Sequence, residues 1–283
     1  MSGARKDGHD GTMNFLDVWA NWDPDSPPFV LDGDREVFLS KRSSDAVRIC
    51  RSWQEAYQTT EFCAPGGFCA RGDTRLHLGL LPMPFFGDLR RASVYMLFLN
   101  PGLGPYDYYA EYEVPTYRAA ILANLKQQPR DGHPPFPFLD PQLSWHGGFR
   151  YWHGKLAGVI EQLAQQWRVP FAAARLHVGS AIACIQLLPY RSVEFKDADR
   201  WLRRPLKSVA LARSFVADYV VPRVHSGEAI AIVLRKVAEW DLPSHPGVVT
   251  YGAGEARGAH LTPSSRGGNA ILEQLRERRP ATR

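Results

Sequence analysis

Residues 93–109 read SVYMLFLNPGLGPYDYY. The unbroken apolar run Val94-Tyr95-Met96-Leu97-Phe98-Leu99 has the length and side chains of a strand buried on both faces. Asn100-Pro101-Gly102 stops it, because proline gives no backbone donor and glycine accepts backbone angles that other residues avoid. In an open α/β sheet the loop that leaves a strand's carboxyl end is where ligands bind. Asn100 is therefore expected at the lip of a site.

Working outward, Ala181 to Leu188 (AIACIQLL) reads as a second buried strand, ended by Pro189-Tyr190-Arg191-Ser192. Glu228 to Leu234 reads as a third strand and Val248 to Tyr251 as a short fourth. Helical segments are expected over Ser44 to Thr59, Pro115 to Gln128, Tyr151 to Arg168, from the basic stretch ending at Arg213 through Val221, and in a short piece to Trp240. Strands that alternate with helices imply an α/β fold: a three-layer α/β/α sandwich around a four-stranded, mainly parallel sheet. Residues 1–89 read as an N-terminal extension packed on the core, with an irregular Pro/Phe/Gly-rich loop before the lead strand, and residues 90–283 as the α/β/α domain. Residues 129–150 form a connection with five prolines and several aromatics, too long for a plain turn and too aromatic for a disordered one.

The chain has 283 residues, 45% hydrophobic and 22% charged, enough to bury a proper core. No apolar run reaches membrane-spanning length and the first residues lack the apolar segment of a signal peptide, so a cytoplasmic protein is expected. Four cysteines show no CxxC pair and no spacing for zinc or an iron–sulfur cluster, and the histidines show no ligand spacing. No metal and no cofactor are expected. A net charge of +5 is compatible with a polyanionic partner.

FLNPGLG (98–104), IQLLPY (185–190) and LTPSSRGGNA (261–270), taken in order, resemble the uracil-DNA glycosylase superfamily. The first is similar to its strand ending in Asn or Asp, Pro and Gly. The last is similar to its Pro-Ser loop before the final helix, and the middle one to the strand that supplies the base reader in the single-strand-selective branch. The resemblance spans roughly residues 90 to 275.

It implies a monomeric DNA glycosylase, monofunctional because no lysine stands in the motifs to form a Schiff base. Asn100 would position and polarise the attacking water, helped by a carboxylate such as Asp107, Glu111 or Glu113. An amide does not titrate near neutrality, so Asn100 is no general base. Gln186 would read the base edge, since its amide offers both a donor and an acceptor. Gly102 would lie beside the base, with Tyr106, Tyr108 and Tyr117 as stacking candidates. Ser264 and Ser265, at a helix start, would bind phosphate or simply cap the helix, and Arg266 would be a wedge or phosphate clamp. Arg203 and Arg204, in a basic segment from Lys196 to Arg213, would add phosphate contacts.

Two departures restrict the substrate. Thr262 stands where efficient uracil enzymes carry a His that stabilises the departing base; His260 substitutes only if the register differs. Gln186 is one methylene longer than the usual Asn reader. Both point away from plain uracil towards a modified pyrimidine, and a hypermodified base of the phage type would fit a reshaped pocket and imply a defence role. The alternative reading is a non-catalytic binder of modified or damaged DNA with the same fold; a third is an unrelated α/β enzyme whose loops mimic the motifs.

Overall fold

The computed structural model describes residues 10–23, 25–57, 73–195, 198–252, 255 and 261–279. The strands are β1 (Val47–Arg48), β2 (Leu76–His77), β3 (Phe85–Phe86), β4 (Val94–Phe98), β5 (Ile182–Gln186), β6 (Ile230–Val233) and β7 (Val248–Thr250). The helices are α1 (Asp10–Ala20), α2 (Asp32–Phe38), α3 (Trp53–Tyr57), α4 (Asp107–Glu113), α5 (Pro115–Leu125), α6 (Gly147–Trp167), α7 (Phe171–Ala181), α8 (Ala198–Leu202), α9 (Lys207–Phe215), α10 (Val221–His225), α11 (Val237–Trp240) and α12 (Arg266–Leu275), and a π turn over Val216–Val220 joins α9 to α10.

The lead strand β4 is central. The principal sheet has the order β3-β5-β4-β6-β7, with β5, β4, β6 and β7 parallel and β3 antiparallel at the edge. The expected four-stranded sheet thus has a fifth strand. Phe85-Phe86 is only two residues long, inside a Pro/Phe/Gly-rich stretch whose composition hides it as a loop. A separate pair, β1 with β2, is parallel.

Alternation along the strands builds two cores. Tyr95, Leu97, Ala183, Ile185, Ala231 and Val233 face a cluster that includes Phe15, Trp19, Leu211 and Phe215 of α1 and α9. Val94, Met96, Ile182, Cys184 and Ile232 face the opposite one, with Ile121, Leu156, Ile160, Val178 and Ile271 of α5, α6, α7 and α12. Helices therefore cover both faces of the sheet.

Local chemistry sets the helix limits. Proline opens α5, where its missing N–H costs nothing. His146 caps α6 through Nδ1, which accepts from the Gly148 N–H at 3.0 Å, and Arg168 closes it in the left-handed region at φ 57°. Of the expected helix over Ser44 to Thr59, Trp53–Tyr57 is helical and Val47-Arg48 pairs with β2 instead, while Gln58 and Thr59 lie outside the described residues.

The N-terminal segment is woven into the body. The Phe15 ring meets Phe85 at 5.6 Å and Phe215 at 5.0 Å. Asp34 on α2 accepts from the Tyr190 hydroxyl at 2.7 Å and from the Ser208 N–H at 3.2 Å, tying α2 to the end of the second motif strand and to α9. Phe15 is fully buried. Phe15→Ala is expected to cost about 3–5 kcal/mol in urea unfolding, the range for deleting a buried aromatic ring; a loss under about 1 kcal/mol would show that α1 is a dispensable appendage.

Candidate active site

A cleft of about 610 Å³ opens at the carboxyl ends of β4 and β5, within the usual range for small-molecule sites. The strand register creates its floor. Phe98 is the cross-strand partner of Gln186, so the ends of the first two parallel strands deliver a ring and an amide side by side. The Phe98 ring stands edge-on to Trp152 at 5.3 Å, and Phe86 meets Phe138 at 4.9 Å, which gives the cleft an aromatic wall. The loop from Asn100 to Asp107 also lines the cleft, together with His146, Gly147 and Gly148 at the start of α6, Tyr151, residues 192–195 and Arg235.

Asn100 is locked in orientation. Its Nδ2 donates to the Ser192 Oγ at 2.9 Å, the Pro101 carbonyl at 3.1 Å and the Tyr190 carbonyl at 3.2 Å. Two of these partners are carbonyls, which only accept, so the amide cannot be turned over. Its Oδ1 is left without a partner among the described residues, in a side chain that lines the cleft. Gln186 presents a second such acceptor. It is 3% exposed, its Nε2 has only the Cys184 sulfur at 3.4 Å, and its Oε1 has no partner. A buried acceptor left unpaired costs free energy that a ligand donor would recover.

Beneath the cleft lies a buried charge cluster. Arg191, 1% exposed, donates from Nη1 to Asp107 Oδ1 at 2.8 Å and from Nη2 to Glu111 Oε2 at 3.0 Å. Asp107 Oδ2 accepts from the Gly104 N–H, and Glu111 Oε1 from the Leu81 N–H. His146 Nε2 lies 3.3 Å from Asp107 Oδ1, outside hydrogen-bond alignment, with its ring against Tyr117 and Phe138. Burial would raise the Asp107 pKa, but the Arg191 charge and His146 outweigh it and hold the carboxyl below its ordinary value. At Glu111 burial prevails over Arg191, and the pKa is raised.

Asn100, Gly102, Tyr106, Asp107 and Gln186 thus lie around one cleft. Tyr106, 47% exposed, stands at the rim. Tyr108 and Tyr117 are fully buried: Tyr108 packs with His77 and Tyr112, and Tyr117 sits by Arg191. Glu113 accepts from the Trp53 indole N–H at 2.6 Å.

Thr262, Ser264, Ser265 and Arg266 do not line the cleft. Their loop rests on α6 where a Cβ at Gly158 would stand 3.0 Å from the Pro263 ring, about 10 Å along the helix from Tyr151 at 1.5 Å per residue. Ser265 caps α12, its Oγ accepting from the Gly268 N–H at 3.0 Å, and Arg266 pairs with Glu255 at 2.8 Å. Thr262 and Ser264 are exposed. Arg203 is exposed on α9's approach, and Arg204 binds the Ser43 hydroxyl at 3.0 Å and covers Trp201. His260, Lys196, Cys63 and Cys69 lie outside the described residues. Among the described residues no group of His, Cys, Asp and Glu is arranged to hold a metal, and no helix is long and apolar enough to cross a membrane.

Sequence reasoning left out Phe98, His146, Trp152, Ser192 and Arg235 as site residues. The 129–150 connection was the one signal for His146, because so long an aromatic segment implies ordered contacts.

Comparison of the chain with protein-family models, curated proteins and solved structures gave no match.

The Asp107 shift has a pH signature. A carboxyl whose folded-state pKa lies below the unfolded value of about 3.9 stabilises the fold above that pH, and the stabilisation is lost as pH falls through the folded value. Urea midpoints followed from neutral into acid should fall less steeply for Asp107→Asn than for the wild type. Parallel acid limbs would show that Asp107 is not held ionised.

Proposed function

We propose that the chain is a monofunctional DNA glycosylase that hydrolyses the N-glycosidic bond of a modified pyrimidine and leaves an abasic site. The observation that carries this reading is the pair of unpartnered acceptors, Asn100 Oδ1 and Gln186 Oε1, set into one aromatic-walled cleft at the ends of β4 and β5. A nucleotide turned out of a duplex needs such a pocket, with rings to receive the base and a buried polar group to read its edge. Gln186 fills the reader's place. Phe98 and Trp152 supply the apolar wall.

The rim supports a nucleic-acid partner. Tyr106 and Tyr151 line the cleft and are 47 and 49% exposed, open aromatics of the kind that mark an interaction site. The Arg150 guanidinium stands 5.8 Å over the Tyr106 ring and the Lys155 ammonium 5.1 Å over the Tyr151 ring. Rings interleaved with cations are the chemistry that holds bases and phosphates together.

In the reaction, a water held by Asn100 Oδ1 forms the new bond to the anomeric carbon as the bond from that carbon to the base breaks. The electron pair leaves with the base and the water's proton passes to solvent. Asp107 has both oxygens engaged and a depressed pKa, so it takes no proton. Its fixed negative charge favours the positive charge that develops on the sugar.

The test is incubation with DNAs carrying uracil, thymine mismatches, and oxidised, hydroxymethylated or glucosylated cytosines, followed by alkali to reveal abasic sites. One modified pyrimidine should be released, and Asn100→Ala should slow that release about 10²-fold, the cost of misplacing a reacting group. DNA binding with no release from any substrate would favour the binding-module reading. Absence of DNA binding would sink both.

A further inference from the structure

Breaking the glycosidic bond sends an electron pair onto the base, and some group must receive that charge. Thr262 has no cationic side chain, and its loop stands away from the cleft. The amino end of α6 lies in the lining instead, through Gly147 and Gly148. This helix has 21 residues, Gly147–Trp167, and aligned peptide dipoles place about half a positive charge at such an end.

The backbone donors of its first turn can be followed one by one. The Gly148 N–H goes to His146 Nδ1 and the Arg150 N–H to the His146 carbonyl. The Gly147 and Phe149 N–H groups have no partner among the described residues, and of these two residues Gly147 lines the cleft. A side-chain carbon at Gly147 would meet nothing within 4 Å, so space for a ligand lies next to that donor. Independently, Gln186 lines the same cleft, and its Oε1 is buried and unpaired, an acceptor that calls for a ligand donor. A planar heterocycle bearing an N–H or amino group and a neighbouring carbonyl satisfies both ends, and pyrimidines are of this class.

We infer that the amino end of α6, through the Gly147 N–H, stabilises the pyrimidine anion as it leaves the sugar. The inference rests on the glycosylase reading and adds the group that receives the leaving charge. The pair from the broken bond settles on the ring nitrogen and spreads onto the adjacent carbonyl oxygen, where the N–H and the helix dipole meet it. The base takes a proton from solvent after release.

Gly147→Pro isolates this donor. Gly147 is the first helical residue of α6, where proline is well tolerated, and His146 already has φ −83° and ψ 145°, the extended conformation required before proline. The substitution therefore deletes the N–H while retaining the helix. With a cleaved substrate, Gly147→Pro should lower kcat about 10²-fold with KM little changed, most strongly for the pyrimidine that is the poorest leaving group. A second readout needs no turnover: calorimetric binding of 5-nitrouracil, which ionises below neutral pH. Wild type should bind the anion more tightly than the neutral form, and Gly147→Pro should lose that preference. Gly147→Pro cleaving at the rate of an active wild type, or a wild type indifferent to the ionisation of 5-nitrouracil, would overturn the inference. A wild type inactive on every DNA overturns the glycosylase reading, while the calorimetry still decides whether this N–H holds the anion.

Discussion

The structure around the cleft depends on one buried cation. Arg191 has almost no solvent to share its charge with, and its guanidinium is compensated by Asp107 and Glu111 of α4. Taking such charges out of water is expensive, and breaking a buried pair by removing one partner costs about 3–5 kcal/mol because the other is stranded. The geometry is thereby forced. The turn after β5, the first turn of α4 and the loop after β4 must come together, and Asp107 extends the clamp to that loop through the Gly104 N–H.

What the clamp holds is Asn100. The residues on either side of Arg191 contact its amide, Tyr190 by its carbonyl and Ser192 by its hydroxyl. The guanidinium therefore acts through its neighbours on the orientation of the side chain that faces the cleft. Sheet register does the rest. A slip of one residue between β4 and β5 would turn Gln186 or Phe98 to the opposite face, and Phe98↔Gln186 pairing is protected by Met96↔Cys184 and Val94↔Ile182 behind it.

Much of this was legible in the chain. Continuous apolar runs ended by Asn-Pro-Gly and Leu-Leu-Pro gave away β4 and β5, and with them Asn100 and Gln186 at a common edge. The carboxyl end of α6 and the end of α11 at Trp240 also follow from periodicity, whereas α6 opens at Gly147, four residues before the Tyr151 expected from the sequence. Four things were hidden. Phe85-Phe86 is too short for any pattern to mark it as a strand, and α1 lies in a segment whose Asp, Gly and Pro content suggests irregular structure. Arg191 reads as one more surface arginine, because the partners that bury it lie 84 and 80 positions away. Tyr108 and Tyr117 carry nothing in their local sequence that separates a ring in the core from Tyr106 at the rim.

The most direct measurement is a crystal structure of the protein with a duplex whose target pyrimidine nucleotide carries a 2′-fluoroarabino sugar, which resists hydrolysis. The base is predicted to stand outside the helix, against Phe98 and Trp152, with its edge donating to Gln186 Oε1 and its anomeric carbon facing a water on Asn100 Oδ1. A base that stays stacked in the duplex, or DNA bound on another surface, would contradict the account.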